Sequence, residues 1–357
     1  MPEHPGCILR DVLDDDFAES FTRRFNRRPE WNRPDLWPVI ADPARSSQRR
    51  WLSEAISTLS EDQRRHVLGR LQSDRHFLAT YNELAVIALV SDSELMVEYE
   101  PRFTCNGRVL TPDVALRRRD ESLIALVEVS TRFRTAEHRS LEVQWKELRT
   151  RVSRIPLPVG LLVRDMRPGP ARPPDSGQAR RIEGALRSWL LRPSTGIGAT
   201  CEIEEYWFRV AGALPGLRAR IATPTGTGWY NTDMVREAIA TKVSRYAPLA
   251  GLLDTPLIVI LAAEPAMPIS LNMLRAALSG AQAITIALDP FMVGAATSGP
   301  MHLNERDIPA EFDPELSMVG WLDPGIDEPG TLTVFEVLSA ARRLTHHLGE
   351  RVVLETI

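Results

Sequence analysis

Val97-Glu98-Tyr99-Glu100-Pro101, Thr111-Pro112-Asp113-Val114-Ala115-Leu116 and Leu123-Ile124-Ala125-Leu126-Val127-Glu128-Val129-Ser130 decide the reading of this chain. They read as short strands in succession, with Gly107 marking a turn between Phe103 and Val109. Asp113 and Glu128 interrupt apolar runs. A carboxylate in such a run is costly unless it is paired, hydrogen-bonded or bound to a metal. Two such acids on neighbouring strands are what a divalent-metal site for phosphodiester chemistry requires.

The flanking segments predict how the strands are framed. His76 to Val90 carries Phe77, Leu78, Tyr81, Leu84, Ala85, Ile87 and Ala88 at helical spacing, with Glu83 as its sole acid. Ala136 to Ile155 reads as a second helix on Leu141, Val143, Trp145, Leu148 and Val152, and Val159 to Val163 as a strand. Helix, strands, helix and strand in that order predict an α/β unit over 71–165 with a mixed sheet flanked by helices.

Upstream, 1–70 predicts a helical extension. Asp14-Asp15-Asp16 and Ser60-Glu61-Asp62-Gln63 supply helix starts, and no chemistry is visible there. The segment reads as a packing or partner-binding appendage. Downstream, 166–300 predicts further α/β structure, either extending the sheet or forming a second domain. Its pieces are a helix at Arg180–Leu191, strands at Cys201–Val210 and Leu217–Ala222, a helix at Asp233–Arg245 and a buried strand at Leu257–Ala262. A helix at Ser270–Ser279 and a strand at Ala283–Leu288 follow. The stretch 301–357 reads as loop-rich to Leu332, with a last helix near Phe335 to Leu348.

Composition narrows the class. The chain has 357 residues, 43% of them hydrophobic and 25% charged, as expected of a protein with a real core. No apolar run approaches the roughly 18 residues that span a membrane, and Met1-Pro2-Glu3-His4-Pro5 does not begin a secretory signal. Cys7, Cys105 and Cys201 are sparse and far apart, with neither disulfide-scaffold nor zinc spacing, which predicts a reduced, cytoplasmic setting.

The net charge of -4 conceals an asymmetry. Residues 101–200 hold 18 Arg and one Lys against ten acids, a net of +9, leaving -13 elsewhere. A local basic field beside buried acids suits a polyanion. Only Lys146 and Lys242 stand against 41 arginines. Each lies in a helix-like segment leading into an apolar strand-like one. An ammonium is a compact charge whose pKa can shift, unlike a guanidinium. Gly-rich stretches show no P-loop pattern, no hydrolase elbow is present, and His346-His347 read as surface or packed residues. Trp229-Tyr230 reads as core before it reads as a base-stacking pair.

Glu83 on its helix, Val97-Glu98-Tyr99-Glu100, Pro112-Asp113 and Val127-Glu128-Val129, followed by helix and strand, resemble the PD-(D/E)XK superfamily of restriction-endonuclease-like nucleases. The resemblance covers about residues 75–165 and extends loosely to about 290. It implies a metal-dependent nuclease, DNA favoured over RNA, in bacterial defence or DNA processing. It implies Mg²⁺ or Mn²⁺ held by Asp113 and Glu128, which would project to one side of adjacent strands, with Glu83 as a further ligand. The family places a Lys two residues after the Glu; here that position is Ser130. Some members carry the lysine on a following helix, which makes Lys146 the first candidate and Lys242 the second. The alternatives are a catalytically degenerate module binding nucleic acid, and a subunit or homodimer in a larger assembly.

Overall fold

A computed structural model describes residues 12–28, 32–91, 95–132, 136–169, 171–213, 218–223, 228–264, 269–279, 283–287, 301–302, 313–325, 327–337, 340, 348 and 352–355. Among the described residues, four α-helices come first: α1 (Asp15–Phe25), α2 (Trp37–Ala41), α3 (Ser46–Ser57) and α4 (Glu61–Leu71). Asp14 accepts the Phe17 N–H, and Ser60 and Gln63 cap α4 reciprocally. Both devices satisfy amides that have no partner inside the helix. Next comes α5 (Phe77–Ser91), apolar around most of its circumference and therefore buried.

These helices are not an appendage. Phe21, Trp51, Leu52, Ile56, Val67 and Leu71 join Leu84 and Ile87 of α5 in one apolar layer. That layer also takes in Val114, Leu116, Val127, Val129, Ile258 and Ile260 from the principal sheet.

The next strands follow the expected order: β1 (Met96–Tyr99), β2 (Phe103–Cys105), β3 (Arg108–Leu110), β4 (Val114–Arg117) and β5 (Leu123–Arg132). β2 and β3 form a separate hairpin through Asn106 and Gly107, both at positive φ (49° and 74°). Two central residues in that region make the turn that matches strand twist. β1 pairs antiparallel with β4, and β4 antiparallel with β5.

The chain then leaves this sheet. α6 (Ala136–Val152), β6 (Val159–Asp165), α7 (Ser176–Leu190), β7 (Thr200–Ile203), β8 (Tyr206–Ala213) and β9 (Arg220–Ala222) build a four-stranded sheet of order β7-β8-β6-β9. It has its own core of Trp145, Leu148, Ile182, Leu186, Tyr206 and Phe208. The helix and strand expected to complete the first unit therefore belong to an inserted layer pair.

Completion comes later. β10 (Gly228–Asn231) leads into α8 (Thr232–Leu253), then β11 (Leu257–Ala263) and α9 (Leu271–Leu278). β11 lies parallel beside β5, pairing Val259 with Glu128. β12 (Ala283–Ala287) and β13 (Met301–His302) join β10 in a small sheet. β14 (Leu316–Asp323), β15 (Thr331–Glu336) and β16 (Val352–Glu355) extend the principal sheet, whose order is β1-β4-β5-β11-β14-β15-β16. The stretch read as loop thus contains the buried strand β14, and Phe335, read as helix, lies in β15. The rest of that expected helix, 341–347, lies outside the described residues, as do Cys7, Thr225 and His346-His347.

α8 and α9 cover the face opposite α5. Ile239, Val243, Tyr246 and Leu274 pack there on Ala115, Leu126, Leu257, Val259 and Leu261. The fold is α/β: a mixed sheet between helical layers. Among the described residues, no helix is long and apolar enough to cross a membrane.

The separate inserted core has a measurable consequence. Trp145→Ala costs about 3–5 kcal/mol locally. It is expected to lower amide-exchange protection across 159–222 while Leu257–Ala263 stays protected; equal loss in both sheets would contradict two separate cores.

Candidate active site

Strand alternation sets the site. Val114 and Val127 turn toward α5, so Asp113 and Glu128 turn toward α8. Their backbones and carboxylates are interlocked. The Asp113 N–H donates to Glu128 Oε1 at 3.1 Å, and the Val129 N–H donates to Asp113 Oδ2 at 2.7 Å. Glu128 is fully buried, while the Asp113 side chain is 20% exposed.

Into this pair comes Lys242 from the middle of α8. Its Nζ donates to Glu128 Oε2 at 2.6 Å and stands 3.7 Å from Asp113 Oδ2. One turn later, Tyr246 donates its hydroxyl to the Thr111 carbonyl at 2.8 Å. Lys242 and Tyr246 are four residues apart and share a helix face. Tyr246 thus holds α8 against the strand entry while Lys242 reaches the acids. Arg245 stacks its guanidinium on the Tyr246 ring at 5.1 Å.

Charge follows geometry. Burial, reinforced by the nearby Asp113, pushes Glu128 up to about 8 despite Lys242. Burial works to lower the Lys242 pKa, but Asp113 and Glu128 overcome it and raise it, so the ammonium stays charged. The pair of acids carries a charge conflict that a cation relieves.

Glu83 stands apart. Both oxygens are engaged: the Tyr99 hydroxyl donates to Oε2 at 2.6 Å and Arg70 Nη2 to Oε1 at 2.8 Å. Arg70 also donates to Glu100 and to the Tyr99 oxygen. Burial, and then Asp113, push Glu83 up to about 7. It therefore feels Asp113 electrostatically without offering a free oxygen.

The five expected site residues divide accordingly. Asp113, Glu128 and Lys242 converge. Glu83 joins a buried network with Arg70, Tyr99 and Glu100 instead. Lys146 points elsewhere, its Nζ 3.6 Å from Asp35, because α6 belongs to the inserted sheet. Lys242, the second candidate, is the lysine beside the acids. Arg70 and Tyr246 escaped the sequence reading; Tyr99 lay inside the quoted motif, but nothing marked it as Glu83's donor.

No cluster of three acid, histidine or cysteine side chains arranged to hold a metal is found among the described residues. The expected set of Asp113, Glu128 and Glu83 is therefore not gathered. Two carboxylates do remain, which is the protein share that Mg²⁺ commonly takes beside water and substrate phosphate. Compared with protein-family models, with curated proteins and with solved structures, the chain matches none.

The sign of the pH dependence follows. A carboxyl whose folded pKa is raised binds its proton more tightly in the folded state, so stability falls with rising pH between the ordinary value and the raised one. For Glu128 that window runs from 4.5 to about 8. Denaturant titrations of metal-free protein are expected to show this decline. Glu128→Gln should flatten it, and an unchanged slope would contradict the buried-acid assignment.

Proposed function

We propose that the chain hydrolyses phosphodiester bonds of nucleic acid, DNA favoured, with a divalent cation. The single observation that carries this reading is the convergence of Asp113, Glu128 and Lys242 from the entry to β4, from β5 and from α8. Two carboxylates and one ammonium around a partly open position match the needs of a pentavalent phosphorus centre, where negative charge builds on the phosphate oxygens.

Asp113 and Glu128 would hold Mg²⁺ or Mn²⁺. When bound, such an ion lowers the pKa of a water and polarises the phosphate. The chain's own groups do the remainder. Lys242 exchanges its bond with Glu128 for one with a phosphate oxygen, offsetting charge there. The Val129 N–H keeps Asp113 Oδ2 oriented, and the Asp113 N–H does the same for Glu128 Oε1. Arg70 and Tyr99 fix Glu83 as a nearby acid that titrates near neutrality. A cytoplasmic setting, consistent with the free Cys105 and Cys201, belongs to the same proposal. The combination fits the PD-(D/E)XK nuclease pattern with its lysine displaced.

Plasmid nicking in Mg²⁺ or Mn²⁺ tests this reading. Glu128→Ala and Asp113→Ala are expected to abolish nicking. Lys242→Met should lower it about 10²- to 10³-fold, the usual loss of one charge-stabilising donor, and Lys146→Ala should leave it intact. Nucleic-acid binding with no cleavage in either metal would instead mean a catalytically degenerate module.

A further inference from the structure

Tyr246 is anchored at both ends. Its ring lies in the core with Ile239 and Val243, and its hydroxyl is bonded to the Thr111 carbonyl, two residues before Asp113. One face of that ring carries the Arg245 guanidinium, 5.1 Å from the centroid. An aromatic ring held this firmly is a fixed seat for a cation.

Arg245 is exposed. Among the described residues it has no ion pair and no hydrogen bond, and the ring is its contact. Arg236, on the same helix, differs: it bonds Asp233 and the Ala277 carbonyl. Stacking occupies the face of a guanidinium and leaves the N–H donors along its edge unused. Those donors match a phosphate, which accepts two parallel bonds from one fork.

The seat lies beside the acids. Arg245 follows Lys242 by three residues, so the two are neighbours on the surface of α8, with Cβ atoms about 5–6 Å apart. Burial most opposes the charge on Lys242, Arg245 adds to that opposition, and Asp113 and Glu128 outweigh both. The two cations therefore sense each other, but they are employed differently. Lys242 is committed to Glu128 at 2.6 Å and stands 3.7 Å from Asp113. Arg245 is seated on the ring, which keeps its charge off Asp113 and open to a ligand. A lone phosphate ester at the acids is served by Lys242. A second cation, fixed one helical step away, serves a second phosphate.

We infer that Arg245 grips the phosphate next to the one that Lys242 meets, so that the site takes a polynucleotide rather than a lone phosphate ester. The inference rests on the reading that Asp113, Glu128 and Lys242 act on nucleic acid, and it adds a substrate-binding residue to that site. The step between the two helix positions is of the order of one step along a nucleic-acid backbone. The contact carries no base identity, because bonds to phosphate position a strand without reading its sequence.

Cleavage kinetics on a labelled DNA duplex in Mg²⁺, with anisotropy on the same duplex in EDTA, test it on the full chain. Arg245→Gln is expected to raise KM about 10-fold, the usual loss of a bond to a charged group. The loss should fall on KM rather than on kcat. In EDTA the salt slope of Arg245→Gln should be smaller than that of wild type by about 1. Arg245→Lys keeps the charge without the fork, so it should restore the salt slope and part of the affinity. A wild-type KM and salt slope in Arg245→Gln overturn the inference. So does an Arg245→Lys variant with the reduced slope of Arg245→Gln, since the loss would then come from packing on the ring and not from charge. The two readings fail separately. Duplex binding that loses slope in Arg245→Gln, with no cleavage by wild type, sinks the nuclease and leaves the grip; cleavage indifferent to Arg245 does the reverse.

Discussion

The structure depends on one buried ion pair. Glu128 sits in an interior strand of a sheet covered on both faces, with Asp113 as its hydrogen-bonded neighbour. Two adjacent carboxylates in that place would be expelled or protonated without a cation. Lys242 supplies it at 2.6 Å. Removing one partner of such a pair costs about 3–5 kcal/mol, mostly because the other is left buried and unpaired. A well-packed apolar pair would be no less stable. Stability alone therefore does not account for three ionisable groups there, which is why the proposed chemistry on a phosphate is placed at them.

That pair also explains how the topology closes. Lys242 stands 114 residues from Glu128 in the chain. Between them lies the whole inserted unit with its separate core. α8 returns the chain to the first sheet, anchored by Lys242 on Glu128 and by Tyr246 on Thr111. β11 then follows β5 in parallel. The insertion enlarges the protein without disturbing the acids, because it leaves after β5 and rejoins before α8. On the other side of the sheet, α4 supplies Arg70 to Glu83, so the leading helices are part of the same electrostatic arrangement.

Much of this was legible in the residues. The helix over 77–91, the succession of strands and the shared face of Asp113 and Glu128 follow from periodicity. The scarcity of lysine among arginines singled out the residue that meets the acids, Lys242, as one of two. Choosing between them failed because Lys146 and Lys242 both precede an apolar strand. The physical cue was present in those strands. Leu257-Ile258-Val259-Ile260-Leu261-Ala262-Ala263 is apolar throughout, as a parallel strand buried on both faces must be. Val159 to Asp165 ends in Val-Arg-Asp, with Arg164 exposed, the alternation of a sheet open on one face. β14, inside the stretch read as loop, contains Gly320. A side chain there would press on Leu332, Ile260 and Val334 at 3.1–3.2 Å, so the glycine reflects close packing. Glu83 was given a ligand's role because Arg70 and Tyr99, its partners, are brought to it only by the tertiary fold.

The most direct test exploits the two lysines. Protein labelled with ¹⁵N at lysine Nζ yields one ammonium signal each for Lys146 and Lys242, assigned by Lys146→Arg. The account predicts that the Lys242 signal alone is protected from solvent exchange and shifts both on Glu128→Gln and on adding Mg²⁺. Two solvent-like ammonium signals, each indifferent to Glu128 and to the cation, would contradict it.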